Sequence, residues 1–198
     1  MPRRPPLIPE SFYHRPVEEV AVDLLGQLLV RDEVVLRIAE VEAYGGPEDT
    51  ASHARHGRTA RNAAMWGPGG HAYLYLCYGL HWMLNIAAGE PDRAAAVLIR
   101  AAEPLAGLDR ILERRKVLRP TRDLLAGPGR VGQALGLDRG FDGHPLFGGG
   151  ALELRRGSPC RRIQSAPRIG VAFASEPDQV RPWRFFDADS AWVGRTRR

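Results

Sequence analysis

Residues 38–53 read IAEVEAYGGPEDTASH, and the run passes from an apolar strand into a polar loop. Just upstream, Val34, Leu36 and Ile38 alternate with Val35, Arg37 and Ala39, the period of a strand with two unlike faces. If that parity continues, Glu40, Glu42 and Tyr44 fall on the Ile38 face, where a buried strand should carry aliphatic residues. Gly45-Gly46-Pro47 breaks the strand, and a loop brings Glu48, Asp49 and His53 back past its end. A carboxylate at the mouth of a core strand loses solvation, which strengthens it as a proton acceptor and suits it to general-base work. An edge strand whose acids point into water is the competing reading, and it stays open for Glu40. For Glu42, the nearby Tyr44 and His53 favour function.

Downstream, residues 59–66 are expected as a short helix capped by Thr59 and closed by Gly67-Pro68-Gly69-Gly70. In the next run, HAYLYLCYGLHWMLNIAA, Tyr73 and Tyr75 alternate with Ala72, Leu74 and Leu76. Gly79 then sits where a tight turn is wanted, and Trp82, Leu84 and Ile86 alternate on the return. The segment reads as a protruding hairpin with Tyr78 at or beside its tip. Tyr73 and Tyr75 suit core packing with their hydroxyls at the rim, a common arrangement for tyrosine. Tyr78 has little of its own protein to pack on there. Asn85 is an amide inside an apolar strand and must find partners; a three-residue loop would put it on the face of Tyr73 and Tyr75.

Residues 94–101, AAAVLIRA, form a buried strand interrupted by Arg100. A guanidinium there needs a carboxylate, and Glu40, Glu42 and Glu103 are the candidates. Residues 104–118 are expected as a helix with Leu105, Leu108, Ile111 and Leu112 inward. Near the N-terminus, residues 1–9 read as a mobile, proline-rich arm. A helix follows from Pro16, with Val17, Val20, Ala21, Leu24 and Leu28 on its apolar face. Gly127-Pro128-Gly129 opens another helix, whose free amides suit a phosphate beside Arg130, although the same residues often make only a turn. Short strands are expected at 151–155, 168–173 and 184–186. With no repeat or linker in view, residues 10–198 form a single domain.

Composition narrows the function. The 198 residues carry a net charge of +5, which favours a polyanionic partner only modestly. Lys116 is the only lysine. Cys77 and Cys160 are the two cysteines and lack metal-ligand spacing, so a reducing cytoplasm is the expected compartment. No apolar run is long enough to span a bilayer, and the first ten residues lack a secretory core. Three tyrosines, a histidine, an asparagine and an acid then describe a pocket for a flat ring beside a hydrolytic base. An enzyme acting on a base within duplex DNA must first extrude it, and stacking on aromatics offsets part of that cost. An aromatic at a hairpin tip can fill the vacated place.

The motifs EVEAYGGPEDTASHARHGRTARN, YLYLCYGLHWMLNI and VLIRAAEPLAG closely resemble those of the alkyladenine (3-methyladenine) DNA glycosylase family. Weaker similarity continues through GPGRVGQALGL and PRIGVAFASE to RPWRFF. The resemblance implies an α/β domain of the α+β type, with a central mixed, largely antiparallel sheet and surrounding helices. It implies a monofunctional glycosylase acting on double-stranded DNA that contains damaged purines, without cofactor or metal. Glu42 matches the general base that activates water, and Arg100 the residue that helps hold that water. Tyr44, His53 and Tyr75 match the residues that sandwich the extruded base, and Tyr73 lines the same region. Asn85 matches the position that crowds out guanine's exocyclic amine, and Tyr78 the intercalating wedge. Between His53 and Asn62 the chain is one residue shorter than some members, which leaves the assignment of Arg58 and Arg61 open.

A lyase using an amine nucleophile is disfavoured, because Lys116 lies on a solvated helix face. Two other readings stay open: a nuclease binding a divalent metal through Glu40, Glu42, Glu48, Asp49 and His53, and a non-catalytic nucleic-acid binder with no need of Glu42. A zinc deaminase would require paired cysteine spacing that the chain lacks. A monomer is the default expectation.

Overall fold

Strand β2 (Val34–Tyr44) is the spine of the molecule. One of its edges pairs along nearly its whole length with β5 (Ala96–Ala106). The other edge is divided: β1 (Leu28–Arg31) covers its first half and β8 (Arg184–Asp187) its second. A hairpin of β3 (Ala72–Cys77) and β4 (His81–Ala87) extends the sheet beyond β5. On the far side β6 (Glu153–Arg155) joins β1, and β7 (Ile163–Ala166) joins β8. The computed structural model describes residues 4–193. Its eight strands form one sheet with the main order β3-β4-β5-β2-β1-β6, and every pairing in it is antiparallel.

Helices α1 (Val17–Leu24), α2 (Leu108–Arg115) and α3 (Pro128–Ala134) supply Val20, Leu24, Ile111, Val131 and Ala134 to the main core, which meets Leu36, Val41, Ile86 and Val97 from the sheet. Helix α3 lies tight on β4: a Cβ on Gly132 would stand 2.1 Å from the Trp82 carbonyl oxygen, so only glycine fits. No helix among the described residues is long and apolar enough to cross a membrane.

Parity along β2 does not continue as its first residues suggest. Val34, Leu36 and Ile38 belong to the core, and so do Val41 and Ala43. The switch occurs at two compensating register shifts, where Ile38 pairs with Ala102, Glu40 with Ala101 and Val41 with Ile99. Ala39 on one strand and Arg100 on the other are the extra residues. A bulge of this kind re-aims side chains locally. Here it turns Glu40, Glu42 and Tyr44 away from the core face.

Several elements fall elsewhere than the periodicity suggests. Leu28 is not helical: α1 ends at Leu24, Gly26 turns the chain at φ +85°, and Leu28 opens β1. β5 runs through Pro104 to Ala106, so the helix expected from residue 104 begins only at Leu108. Pro104 is tolerated because it pairs beside a register shift, where the ladder is already interrupted. Leu105 and Leu108 are consequently exposed rather than inward. In place of a helix over 59–66 there is a turn, in which the Thr59 hydroxyl accepts from the Asn62 amide, followed by one 3₁₀ turn at Ala63–Trp66. The last strands occupy Glu153–Arg155, Ile163–Ala166 and Arg184–Asp187, leaving 168–173 as a loop. Of the arm, residues 1–3 lie outside the described residues; Ile8 donates its amide to Leu154, Pro6 accepts from Arg156, and the Ile8 side chain is buried.

Candidate active site

One row of the sheet lays down the site. Tyr73 pairs with Asn85, Asn85 with Leu98, Leu98 with Glu42 and Glu42 with Arg184, so five strands align five side chains across the face opposite the core. Tyr75 opposite Met83 and Tyr44 opposite Ala96 extend that face. The loop after β2 adds Ala51 and His53, Arg61, Met65 and Pro128 come from further along the chain, and Ile169, Gly170, Val171 and Phe173 form another wall. Together they enclose a cavity of about 490 Å³.

Glu42 lies beneath the floor of this cavity and is fully buried. Its Oε2 accepts from the Tyr44 hydroxyl at 2.7 Å and from Arg100 Nη1 at 3.2 Å; Oε1 accepts from the Ile169 amide at 2.7 Å. These donors compensate the burial of its charge. Tyr44, Arg100 and Ile169 themselves line the cavity, so every partner of the carboxylate belongs to a lining residue. The carboxylate expected for Arg100 is thus Glu42, with Glu40 Oε1 3.6 Å from Nε; Glu103 instead faces Arg37. Glu40 is buried and bonded to Arg184 Nη1 at 2.9 Å, so its edge-strand reading fails. The reason is β8, which covers the edge of β2 that would otherwise meet water.

His53 stands at the mouth, with Nδ1 2.8 Å from the Tyr73 hydroxyl and its ring centroid 4.5 Å from that of Tyr75. Partial burial, then the guanidiniums of Arg61 and Arg55, push its pKa below the ordinary imidazole value. Desolvation raises the tyrosines: Tyr75 is pushed up to about 12, Tyr73 rises as well, and Tyr44 goes well above the usual phenol range, helped by Glu42. All three phenols are therefore protonated donors at neutral pH. Asn85 is buried, and its Nδ2 donates to the Tyr73 carbonyl at 3.0 Å. Tyr78 is 93% exposed at the tip of the three-residue β3–β4 loop, with a positive φ of 51°. A bulky residue in that backbone region costs of order 1 kcal/mol.

The acids named for a metal are dispersed. Asp49 pairs with Arg168, Glu48 accepts from Gly46, and no three His, Cys, Asp or Glu side chains among the described residues are grouped to hold an ion.

Comparison with known proteins places the chain in a family. Residues 11–191 match the family model described as methylpurine-DNA glycosylase. The chain belongs to the methylpurine-DNA glycosylase family. It is 55% identical to a protein of Nitrosococcus oceani provisionally named 3-methyladenine DNA glycosylase, covering 94% of this chain and 92% of the relative. It is also 48% identical to the DNA-3-methyladenine glycosylase of Arabidopsis thaliana, covering 94% of this chain and 74% of that one. A relative from Methanocella arvoryzae with the same provisional name is 43% identical over 96% of both chains.

Some residues around the cavity carry no readable signal in the sequence. The Ile169 amide on Glu42 is a backbone group in a segment that reads as a strand. Arg168 is fully buried: it forks onto both oxygens of Asp49 at 2.6 and 2.8 Å and packs between the rings of Tyr44 and Trp183. Arg61 lines the cavity, whereas Arg58 pairs with Asp92 outside it. Arg130 donates to the Asp123 and Ala126 carbonyls of its own loop, so it braces the turn before α3.

Proposed function

We propose that this DNA glycosylase extrudes alkylated purines of the 3-methyladenine type, and hypoxanthine as well, into the cavity over Glu42 and hydrolyses the N-glycosidic bond. The observation that carries this reading is the buried Glu42 carboxylate, whose three donors all belong to residues lining an aromatic cavity. A water at the floor, oriented by Arg100, gives its proton to Glu42 as its oxygen bonds to C1′. The C1′–N bond breaks, and the base leaves with the electron pair. An alkylated purine carries a positive charge before cleavage and leaves neutral, so it needs no acid; neutral hypoxanthine needs a proton as it departs.

Tyr44, His53 and Tyr75 stack on the base, and Tyr73 fixes the His53 ring through its hydroxyl. With Tyr73 donating to Nδ1, the ring proton sits on Nε2, available to an acceptor on the base. Asn85 excludes a 2-amino group, and Tyr78 fills the gap left in the duplex. Two stacking contacts of roughly 1–3 kcal/mol each match the few kcal/mol of extrusion.

Lys116 caps the end of α2, exposed and outside the cavity, which supports hydrolysis rather than amine-dependent lyase chemistry. The products test this: free base and an uncut abasic strand are expected from methylated duplex DNA. A borohydride-trapped protein–DNA adduct contradicts it. The nuclease reading is less well supported, since Glu40, Glu42 and Asp49 each face a guanidinium.

A further inference from the structure

Phe173 presents a feature that the chemistry over Glu42 does not use. Its ring lines the mouth of the cavity and is 61% exposed. Isolated exposed apolar side chains are ordinary. This one, however, is carried on a pinned backbone. Gln179 Nε2 donates to the carbonyls on both sides of it, to Ala172 at 3.2 Å and Ala174 at 2.7 Å. The Ser175 amide is tied to the Thr50 hydroxyl at 2.9 Å, and the flanking Val171 and Ala174 are buried against Ala51. The backbone that carries the ring is therefore fixed in place at the edge of the cavity.

Arg55 lies over the same ring, its guanidinium carbon 4.8 Å from the centroid. Its hydrogen bonds go to the Ser52 carbonyl and the His56 imidazole, neither of them an acid. Many arginines of this chain are matched by carboxylates, as Arg168 is by Asp49 and Arg184 by Glu40. At the cavity mouth, then, an apolar ring and an acid-free guanidinium are stacked as one unit.

We propose that Arg55 and Phe173 form a subsite for the nucleotide next to the extruded one on the same DNA strand. A strand leaving the cavity presents a flat, largely apolar sugar and base joined through a phosphate. The ring meets the sugar or base, and the guanidinium meets the linking phosphate. Arg55 is not among the cavity's lining residues and the Phe173 ring is largely exposed at its edge, so the pair acts on strand placement and leaves base choice to the cavity. This inference rests on the extrusion reading above, and its test separates the two.

The experiment measures kcat/KM for base release from methylpurine-containing duplex oligonucleotides by wild type, Phe173→Ala and Arg55→Gln. Parallel substrates carry a neutral methylphosphonate at the phosphate on either side of the damaged nucleotide. Each variant is expected to lose about tenfold on the natural duplex, the size of one stacking or phosphate contact. One methylphosphonate is expected to slow wild type by a similar factor and to leave Arg55→Gln no slower than it already is. The methylphosphonate arm probes the intact protein, so it stands even if a variant folds poorly. Wild-type rates in both variants, together with indifference of wild type to both methylphosphonates, overturn the subsite while extrusion stands. No base release by wild type overturns the extrusion reading and the subsite with it.

Discussion

The Tyr44 hydroxyl donates to Glu42 Oε2 across 2.7 Å, from a neighbouring position on the same face of the same strand. That face exists only because the β2–β5 ladder is irregular between Ile38 and Val41. The stacking wall and the base are thus set by one stretch of backbone, and Tyr44 performs two tasks. Tyr44→Phe keeps the ring and removes the donor. Stability is expected to fall by about 1 kcal/mol, the net value of one such bond, read as a lower denaturant midpoint. Base release should fall less than in Glu42→Gln; an equal loss would mean that the hydroxyl, rather than the ring, is what Tyr44 supplies.

Arg100 faces both Glu42 and Glu40. Removing one partner of a buried pair leaves a stranded charge, which costs roughly 3–5 kcal/mol. Arg100→Met should therefore lower stability by about that amount at neutral pH and abolish base release. Arg100→Met with Glu42→Gln should recover much of the stability and none of the activity. Additive losses in the double variant would contradict the pairing.

Much of the site is legible in the sequence, because hairpins, aromatics and buried charges leave marks there. Tyr73 and Tyr75 follow from strict alternation and Arg100 from its isolation in an apolar strand, whereas the face of Asn85 depended on the loop length, which the structure sets at three residues. The parity of β2 is not legible: two bulges cancel in register but reverse the faces, and neither Ala39 nor Arg100 announces an extra residue. Pro104 reads as a helix start yet sits in a strand. The Ile169 amide leaves no trace because a backbone donor has no residue signature. Arg168 reads as one of many surface arginines, and only the folded chain brings its two ring neighbours and Asp49 together.

That Arg168–Asp49 pair ties the loop after β2 to the segment carrying Ile169. Asp49→Asn keeps the shape but removes the charge partner of a fully buried guanidinium. A destabilisation of roughly 3–5 kcal/mol is expected by denaturant melting, with a raised KM as Tyr44 loses its backing. Wild-type stability in this variant would show that the pair is dispensable.

His53 gives a pH prediction. Its pKa in the folded protein lies below the ordinary imidazole value of 6.5. As pH falls, the unfolded chain takes up this proton first, so the contribution to stability is present above the unfolded value and is lost toward acid pH. An NMR titration should show the His53 ring inflecting below 6.5, and Arg61→Gln should move that inflection upward. An inflection at or above the ordinary value would contradict a ring held neutral by burial and by neighbouring guanidiniums.

The most direct test of the central claim is base release in EDTA from duplexes containing hypoxanthine and from methylated DNA, with wild type and Glu42→Gln side by side. Wild type should release free base without metal, and Glu42→Gln, still folded, should be slower by about a hundredfold to ten-thousandfold. Equal rates for the two proteins, or DNA cutting that returns only with magnesium, would contradict a Glu42-activated water.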